Sequence, residues 1–160
     1  MDKPRILIIA PAWVGDLIIS LAFINALKKI FKDSEIDLLV NENLVDIAKY
    51  FPDISNIITS QTRHGKLSLF YRITTGLELR KKNYTYCYIL TNSMKSSIIP
   101  FIAGIKHRIS YLGEFRYGLV NKIIKKIDRK EGMANRYLNL INHSYKSEFR
   151  PNLTPKIIHN

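Results

Sequence analysis

Four short connections in this chain concentrate residues able to do chemistry. The first, Pro11-Ala12-Trp13-Val14-Gly15-Asp16, sets a carboxylate directly after a glycine and an indole. Such a carboxylate can take a proton from a hydroxyl as a general base. It can also cap the helix that follows, the commoner role, which stabilises a helix by about 1 kcal/mol. Gly15 permits a backbone geometry or close approach that other residues resist. The second, Arg63-His64-Gly65-Lys66, arranges two cations and an imidazole around a glycine. It can hold a phosphate or carboxylate, or simply form a solvated turn. The third, Thr91-Asn92-Ser93-Met94-Lys95-Ser96-Ser97, gathers hydroxyls, an amide and a lysine at the start of a helix. That composition suits an anion or a sugar, and it is compatible with capping by Asn92 or Ser93. The fourth, from Gly104 to Gly118, holds Lys106, His107, Arg108, Glu114, Arg116 and Tyr117. Aromatics beside arginines also suit single-stranded nucleic acid, although no nucleic-acid-binding motif accompanies them.

Other chemistries find no support. The first loop is neither a Walker A sequence nor G-x-G-x-x-G, so nothing marks it for nucleotide binding. His64, His107, His143 and His159 show no metal-ligand spacing with one another or with Cys87. No G-x-S-x-G and no Cys/His arrangement points to nucleophilic catalysis. Cys87 is the single cysteine and lies in an apolar run, which excludes a disulfide framework and reads as a small buried side chain.

The elements that must position these loops follow from periodicity. Residues 5–10, RILIIA, form a continuous apolar run of the kind buried on both faces of a sheet. An apolar periodic segment opens at Asp16 and continues through Leu17, Ile18, Leu21, Ala22, Leu27, Ile30 and Phe31, the pattern of a helix. Residues 35–40, EIDLLV, form a second strand and complete a βαβ unit, which makes a parallel sheet. Further on, residues 44–50 suggest a short helix and 56–59 a strand. Residues 67–82 suggest a helix weakened by Thr74, Thr75 and Gly76. Strands are expected over 85–90 and 108–111, and helices over 96–103 and 132–145. The fold class is α/β with a mostly parallel sheet. Ligands in such sheets sit beyond the carboxyl ends of the strands, which singles out the loops after residues 10, 59, 90 and 111.

Charge divides the chain. Residues 1–60 carry six Lys/Arg against eight Asp/Glu, a net of −2; residues 61–160 carry nineteen against five, a net of +14. A basic half points to an anionic partner. Ile outnumbers Val 25 to 4 and Lys outnumbers Arg 16 to 9, which indicates AT-rich codon drift as part of the excess. Drift does not explain why the first 60 residues escape it. No run of about 18 apolar residues exists to cross a membrane, the N-terminus lacks the features of a signal peptide, and the chain is expected to be cytoplasmic.

Two segments carry a family resemblance. PAWVGD, followed by an apolar helix, resembles the opening strand and loop of ADP-heptose:lipopolysaccharide heptosyltransferases. TNSMKSSIIPFIAGIKHRISYLGEFRYGLVN, residues 91–121, resembles the matching stretch of the heptosyltransferase II branch of glycosyltransferase family 9. His64-Gly65 falls where that branch has a similar loop, and the resemblance runs from residue 5 to about 150. It implies a GT-B architecture, two Rossmann-like domains facing a cleft. Residues 1–149 would form the N-terminal acceptor-binding domain and 150–160 an interdomain linker or loose tail, with the C-terminal donor domain absent. The implied reaction is inverting transfer of heptose from ADP-heptose to the lipid-linked inner core of lipopolysaccharide, with no metal and no resident cofactor.

Asp16 takes the position of the aspartate thought to deprotonate the acceptor hydroxyl, which reverses the preference from residues alone: base first, cap second. Trp13, Gly15, Arg63, His64, Asn92, Ser93, Lys95, Arg108 and Arg116 are the acceptor-binding residues the resemblance implies. An acceptor bearing carboxylates and phosphates accounts for the basic half better than nucleic acid does. Peripheral binding at the cytoplasmic face of the inner membrane is also implied, each basic residue there contributing about 1 kcal/mol. A separate C-terminal half is a further implied partner. Proximity across the cleft accounts for roughly 7–11 kcal/mol of a barrier, so this chain alone is expected to have negligible transferase activity. The competing expectations are a non-catalytic basic module for nucleic acid or anionic membrane, and a truncated relic.

Overall fold

The computed structural model describes residues 3–61, 67–124 and 130–151. Arg63 and His64 lie outside them. Strands β1 (Arg5–Ile9), β2 (Glu35–Asn41), β3 (Asn56–Ser60), β4 (Tyr86–Ile89), β5 (His107–Tyr111) and β6 (Lys122–Ile124) form one sheet in the order β3-β2-β1-β4-β5-β6. Every pairing is parallel. This is the doubly wound Rossmann order, whose direction of winding reverses between β1 and β4.

Alternation of side chains explains the two packed faces. On one face Ile6, Ile8, Ile36, Leu38, Val40, Tyr88 and Ile109 meet helices α1 (Val14–Ile30) and α5 (Met133–Tyr145). On the other, Leu7, Ile9, Leu39, Cys87 and Ile89 pack with Leu79 of α3 (Leu69–Arg80) and Ile99 of α4 (Ile98–Ile102). Both faces are covered, so the central strands have no polar side to show. Asp37 is the charged exception among the described strands. It is buried on β2, and its carboxylate accepts hydrogen bonds from Tyr84 Oη at 2.5 Å and Asn56 Nδ2 at 2.8 Å. Burial, with Asp37 alongside, pushes the Tyr84 phenol far above its usual range.

The differences from the sequence expectation have local causes. Helix α1 begins at Val14, two residues before Asp16. The 44–50 segment becomes a 3₁₀ turn (Glu42–Leu44) followed by α2 (Val45–Ala48). The expected 96–103 helix likewise opens as a 3₁₀ turn, Met94–Ser97, before α4. Strand β6 has no counterpart in the sequence reading. It forms because Asn121 ties the chain to β5: its N–H donates to Arg108 O at 3.1 Å, its Oδ1 accepts from Arg108 N at 2.8 Å, and its Nδ2 donates to Lys106 O at 2.8 Å. Thr74 does not break α3, since its hydroxyl donates to Tyr71 O at 2.9 Å.

Gly76 strengthens the packing that its helix propensity would weaken. A Cβ there would lie 2.6 Å from Ile102 Cβ and 3.0 Å from Ile99 O, so glycine lets α3 and α4 approach. Ala at this site gains about 1 kcal/mol of helix propensity against roughly 1–3 kcal/mol of overpacking. Gly76→Ala is therefore expected to destabilise by about 1 kcal/mol in urea unfolding. In an Ile102→Gly background, which removes the Cβ at 2.6 Å, the same change should cost less. Equal effects in both backgrounds would show that the contact is not the reason for the glycine.

Candidate functional site

The carboxyl ends of β1 to β5 open into one cavity of about 500 Å³. Ala10, Asn41, Ser60, Leu90 and Tyr111 form its floor, and the loops after β1 and β4 form its walls. The winding reversal places those two loops side by side. Trp13, Asp16, Asn92, Ser93 and Lys95 all line it. The sequence thus named, from two separate segments, residues that the fold brings together.

Asp16 reaches the cavity from the first turn of α1. Trp13 is the residue preceding that helix and no side chain caps it, so the capping role expected as secondary for Asp16 is not present. The carboxylate instead stands third in the helix, where the positive end favours negative charge. Tyr137 of α5 is its neighbour: burial pushes the Tyr137 phenol far above its usual range, and the Asp16 carboxylate adds to that. Trp13 is 67% exposed at the rim. The loop after β4 makes its own turn. Ser96 Oγ donates to Ser93 O at 2.6 Å, and the Ser93 side chain makes no cap bond, so capping by Ser93 is not present either.

Gly15 differs from the expectation. Its φ is not in the positive region, it does not line the cavity, and a Cβ there would meet nothing within 4 Å. The fold makes no demand for glycine at this place.

Two expected acceptor-binding arginines are elsewhere. Arg116 is fully buried. Its Nε donates to Leu112 O at 3.3 Å; Nη1 donates to Thr91 O at 2.8 Å, Ser93 O at 3.5 Å and Ser97 Oγ at 3.4 Å; Nη2 donates to Ser110 Oγ at 2.8 Å and Tyr111 O at 2.6 Å. Burial pulls its guanidinium down to about 10, with Glu114 opposing the shift. Arg108 donates to the carbonyls of Leu119 (2.7 Å), Ile105 (2.6 Å) and Gly118 (3.3 Å), and lies 5.3 Å from the Phe101 ring centroid. Neither arginine lines the cavity. Dense charge in the 104–118 connection marked a loop that grips its own backbone.

The turn around Arg116 also explains Gly113. Its φ is +53°, and a Cβ would collide with Asn92 O and come within 2.9 Å of Arg116 Nη2. Glu114 N then donates to Asn92 O at 3.0 Å, and Glu114 Oε2 accepts from Met94 N at 3.3 Å. The β5 loop and the β4 loop are thereby joined behind the cavity wall.

Arg72, Arg136 and Tyr137 line the cavity and were not found from the sequence; Glu114, named there only as part of the charged 104–118 loop, lines it too. Arg72 is buried in α3 and donates to Leu67 O at 2.7 Å and Lys95 O at 2.9 Å. The Tyr111 hydroxyl donates to Arg136 O at 2.6 Å. The one signal for Arg136 and Tyr137 was their place near the start of an amphipathic helix that returns to the sheet. Among the described residues no group of three or more His, Cys, Asp or Glu could hold a metal ion.

Removing the Arg116 guanidinium leaves the carbonyls of Thr91, Tyr111 and Leu112 without a donor, and each buried orphan costs about 1–3 kcal/mol. Arg116→Met is expected to lower stability by about 3 kcal/mol or more in urea unfolding. Arg116→Lys should recover only part, because a point charge cannot serve the same fork. A wild-type midpoint for Arg116→Met would contradict this assignment.

Comparisons with known proteins agree on one family. The model of glycosyltransferase family 9 (heptosyltransferase) matches residues 72–156. The chain is similar to lipopolysaccharide heptosyltransferase 2 of Escherichia coli (strain K12), 35% identical over 138 residues, which is 85% of this chain and 39% of that protein. In structure it is similar to E. coli ADP-heptose lps heptosyltransferase II, with a TM-score of 0.77 and 32% identity over 85% of this chain and 39% of the other. It also shares the fold of an E. coli heptosyltransferase solved with ADP, at a TM-score of 0.76 and 15% identity, covering 94% of this chain and 51% of that one. The chain therefore spans 39% of the length of the E. coli heptosyltransferase 2 it matches.

Proposed function

Because the chain belongs to glycosyltransferase family 9, we propose that it carries the acceptor side of heptosyl transfer from ADP-heptose to the inner core of lipopolysaccharide. One observation carries the reading: Asp16, on the first turn of α1, opens into the same cavity as Asn92, Ser93 and Lys95 where the sheet reverses. In the proposed reaction the Asp16 carboxylate takes the proton of an acceptor hydroxyl. The freed oxygen forms a bond to the anomeric carbon of the heptose, and the bond from that carbon to the ADP oxygen breaks with inversion. Asn92, Ser93 and Lys95 hold the acceptor, Trp13 closes the rim, and Arg63 and His64 belong to the same expectation from their loop.

The donor is held mainly by residues corresponding to the part of the family that this chain does not span; the ADP in the fold relative supports a nucleotide-linked donor. No helix among the described residues is long and apolar enough to cross a membrane. We place the protein peripherally at the cytoplasmic face of the inner membrane, where a lipid-linked acceptor is met and the net +14 of residues 61–160 is matched by anionic lipid. The nucleic-acid reading gains nothing from the structure, since Arg108 and Arg116 face inward onto carbonyls.

With a separately expressed donor half of a family 9 enzyme added, the chain is expected to transfer heptose, and without it to be silent. Asp16→Asn should lower that rate by roughly 10²- to 10⁴-fold while acceptor affinity stays within about twofold. Transfer by the chain alone would show that it needs no partner half. Undiminished transfer by Asp16→Asn would remove the aspartate from the mechanism.

Gly15 supplies a second test. The helix start would gain from alanine, by up to about 1 kcal/mol, and nothing in the fold resists it. If the open space beside Asp16 serves the acceptor, Gly15→Ala should raise the thermal midpoint and weaken acceptor binding. A variant that is more stable and binds equally well would dismiss that role.

A further inference from the structure

A second groove, of about 520 Å³, lies at the far end of α1, where the chain turns toward β2. Lys28, Lys29, Lys32 and Arg150 line it, with Asp53 as its one carboxylate. Four cations less one carboxylate leave a net of +3 in the groove. The ion pairs among the described residues are Arg5–Glu35 and Lys49–Asp46, so Asp53 forms none with these cations. Like charges gathered in this way repel one another.

Part of the grouping has a local reason. Lys28 and Lys29 belong to the last turn of α1, where the negative end of a helix favours cations. Lys28 is also held, its Nζ donating to Ser34 O at 2.7 Å. Neither reason covers Arg150, which arrives from another element. Asn142 folds the chain back after α5: its Nδ2 donates to Phe149 O at 3.0 Å, and its Oδ1 accepts from Phe149 N and from Ser147 Oγ, each at 3.0 Å. Lys146 makes the turn with a φ of +50°, and Phe149 packs on the core. This clamp delivers Arg150 to the groove that Lys29 and Lys32 line. The floor is open, because Ala22, Asn25, Ala26 and Lys29 follow at helical spacing along one face of α1. Between two alanines, a ligand can approach the helix and meet the Asn25 amide.

We propose that this groove is a phosphate-binding site, apart from the cavity of Asp16, for a phosphate monoester or diphosphate group carried by a small molecule or by a lipid head group. Lys29, Lys32 and Arg150 supply the charge, and the Arg150 guanidinium can pair two oxygens at once. Lys28 adds an ammonium already fixed by Ser34. Asp53 opposes the same group. An occupied site joins the end of α1 to the segment that follows α5. The site does not depend on the acceptor reading.

The test follows the thermal midpoint of the 160-residue chain in sodium pyrophosphate, with sodium chloride of equal ionic strength as reference. A second arm measures co-sedimentation with phosphatidylcholine vesicles that contain or lack phosphatidic acid. Pyrophosphate should raise the midpoint above the chloride reference, as a ligand of the folded state does. Lys32→Gln and Arg150→Gln should each weaken binding about threefold and together about tenfold, the modest size expected of exposed charges. Asp53→Asn should tighten it, which a purely structural role for these side chains would not produce. Asn142→Ala should weaken it with every cation still present. Lys81→Gln combined with Lys82→Gln, which removes as much charge just past α3 and outside the groove, should leave it unchanged.

Pyrophosphate binding without vesicle binding supports the site and identifies a soluble phosphorylated ligand. Sedimentation that needs phosphatidic acid and is lost in the Lys32→Gln, Arg150→Gln double variant supports it and identifies a lipid head group. A folded wild type whose midpoint follows ionic strength alone, and which ignores phosphatidic acid, overturns the site. So does binding that the double variant retains in full, or that the Lys81, Lys82 variant loses equally.

Discussion

A buried guanidinium that forms no ion pair among the described residues organises the working edge of this sheet. Arg116 connects the ends of β4 and β5 to the turn between them through the carbonyls of Thr91, Tyr111 and Leu112. A charge taken out of water is tolerated only when its donors are satisfied, and here carbonyl dipoles and two hydroxyls do that. Because the donors form a rigid planar fork, they also fix where those carbonyls stand. Gly113 is bound to the same constraint, since a side chain there would strike Asn92 O. The cavity wall that holds Asn92, Ser93 and Lys95 inherits its shape from this one side chain.

The sheet order supplies the remaining half of the geometry. Reversal of winding between β1 and β4 brings the Pro11–Asp16 loop against the Thr91–Ser97 loop, and both faces of the sheet are closed by helices. The open edge is where the strands' carboxyl ends and the start of α1 converge. There the positive end of a helix, a carboxylate and several small polar groups share about 500 Å³. Part of the basic excess seen in composition has an internal use: Arg72, Arg108 and Arg116 donate to the chain's own carbonyls. Arg136 differs in that its Nε has no hydrogen-bond partner among the described residues.

Much of this was legible in the residues. The runs around β1, β2 and β4 are continuous and apolar because both faces are buried, and that alone gave a parallel α/β sheet and the loops beyond its carboxyl edge. The resemblance of two segments then brought Asp16 and the 91–97 loop to one site. What could not be read was which way a loop cation faces. Lys95 and Arg116 sit in equally polar stretches, yet one lines the cavity and the other is sealed beneath it. That outcome depends on the positive φ of Gly113 and the carbonyls it exposes. Strand β6 escaped for a similar reason: three residues beginning with lysine carry no periodic signal, and Asn121 and the Arg108 side chain hold the approach to their pairing with β5. Arg136 and Tyr137 were hidden in a helix whose pattern reported only its apolar face.

Central to the mechanism is an acceptor lying in this cavity with a hydroxyl on Asp16. A crystal structure of the chain with an inner-core acceptor oligosaccharide tests that most directly. One sugar hydroxyl is expected within about 3 Å of an Asp16 carboxylate oxygen, the distance general-base catalysis requires, with the oligosaccharide against Asn92, Ser93 and Lys95. An oligosaccharide seated instead beside Lys28, Lys32 and Arg150, in the groove at the far end of α1, would contradict it.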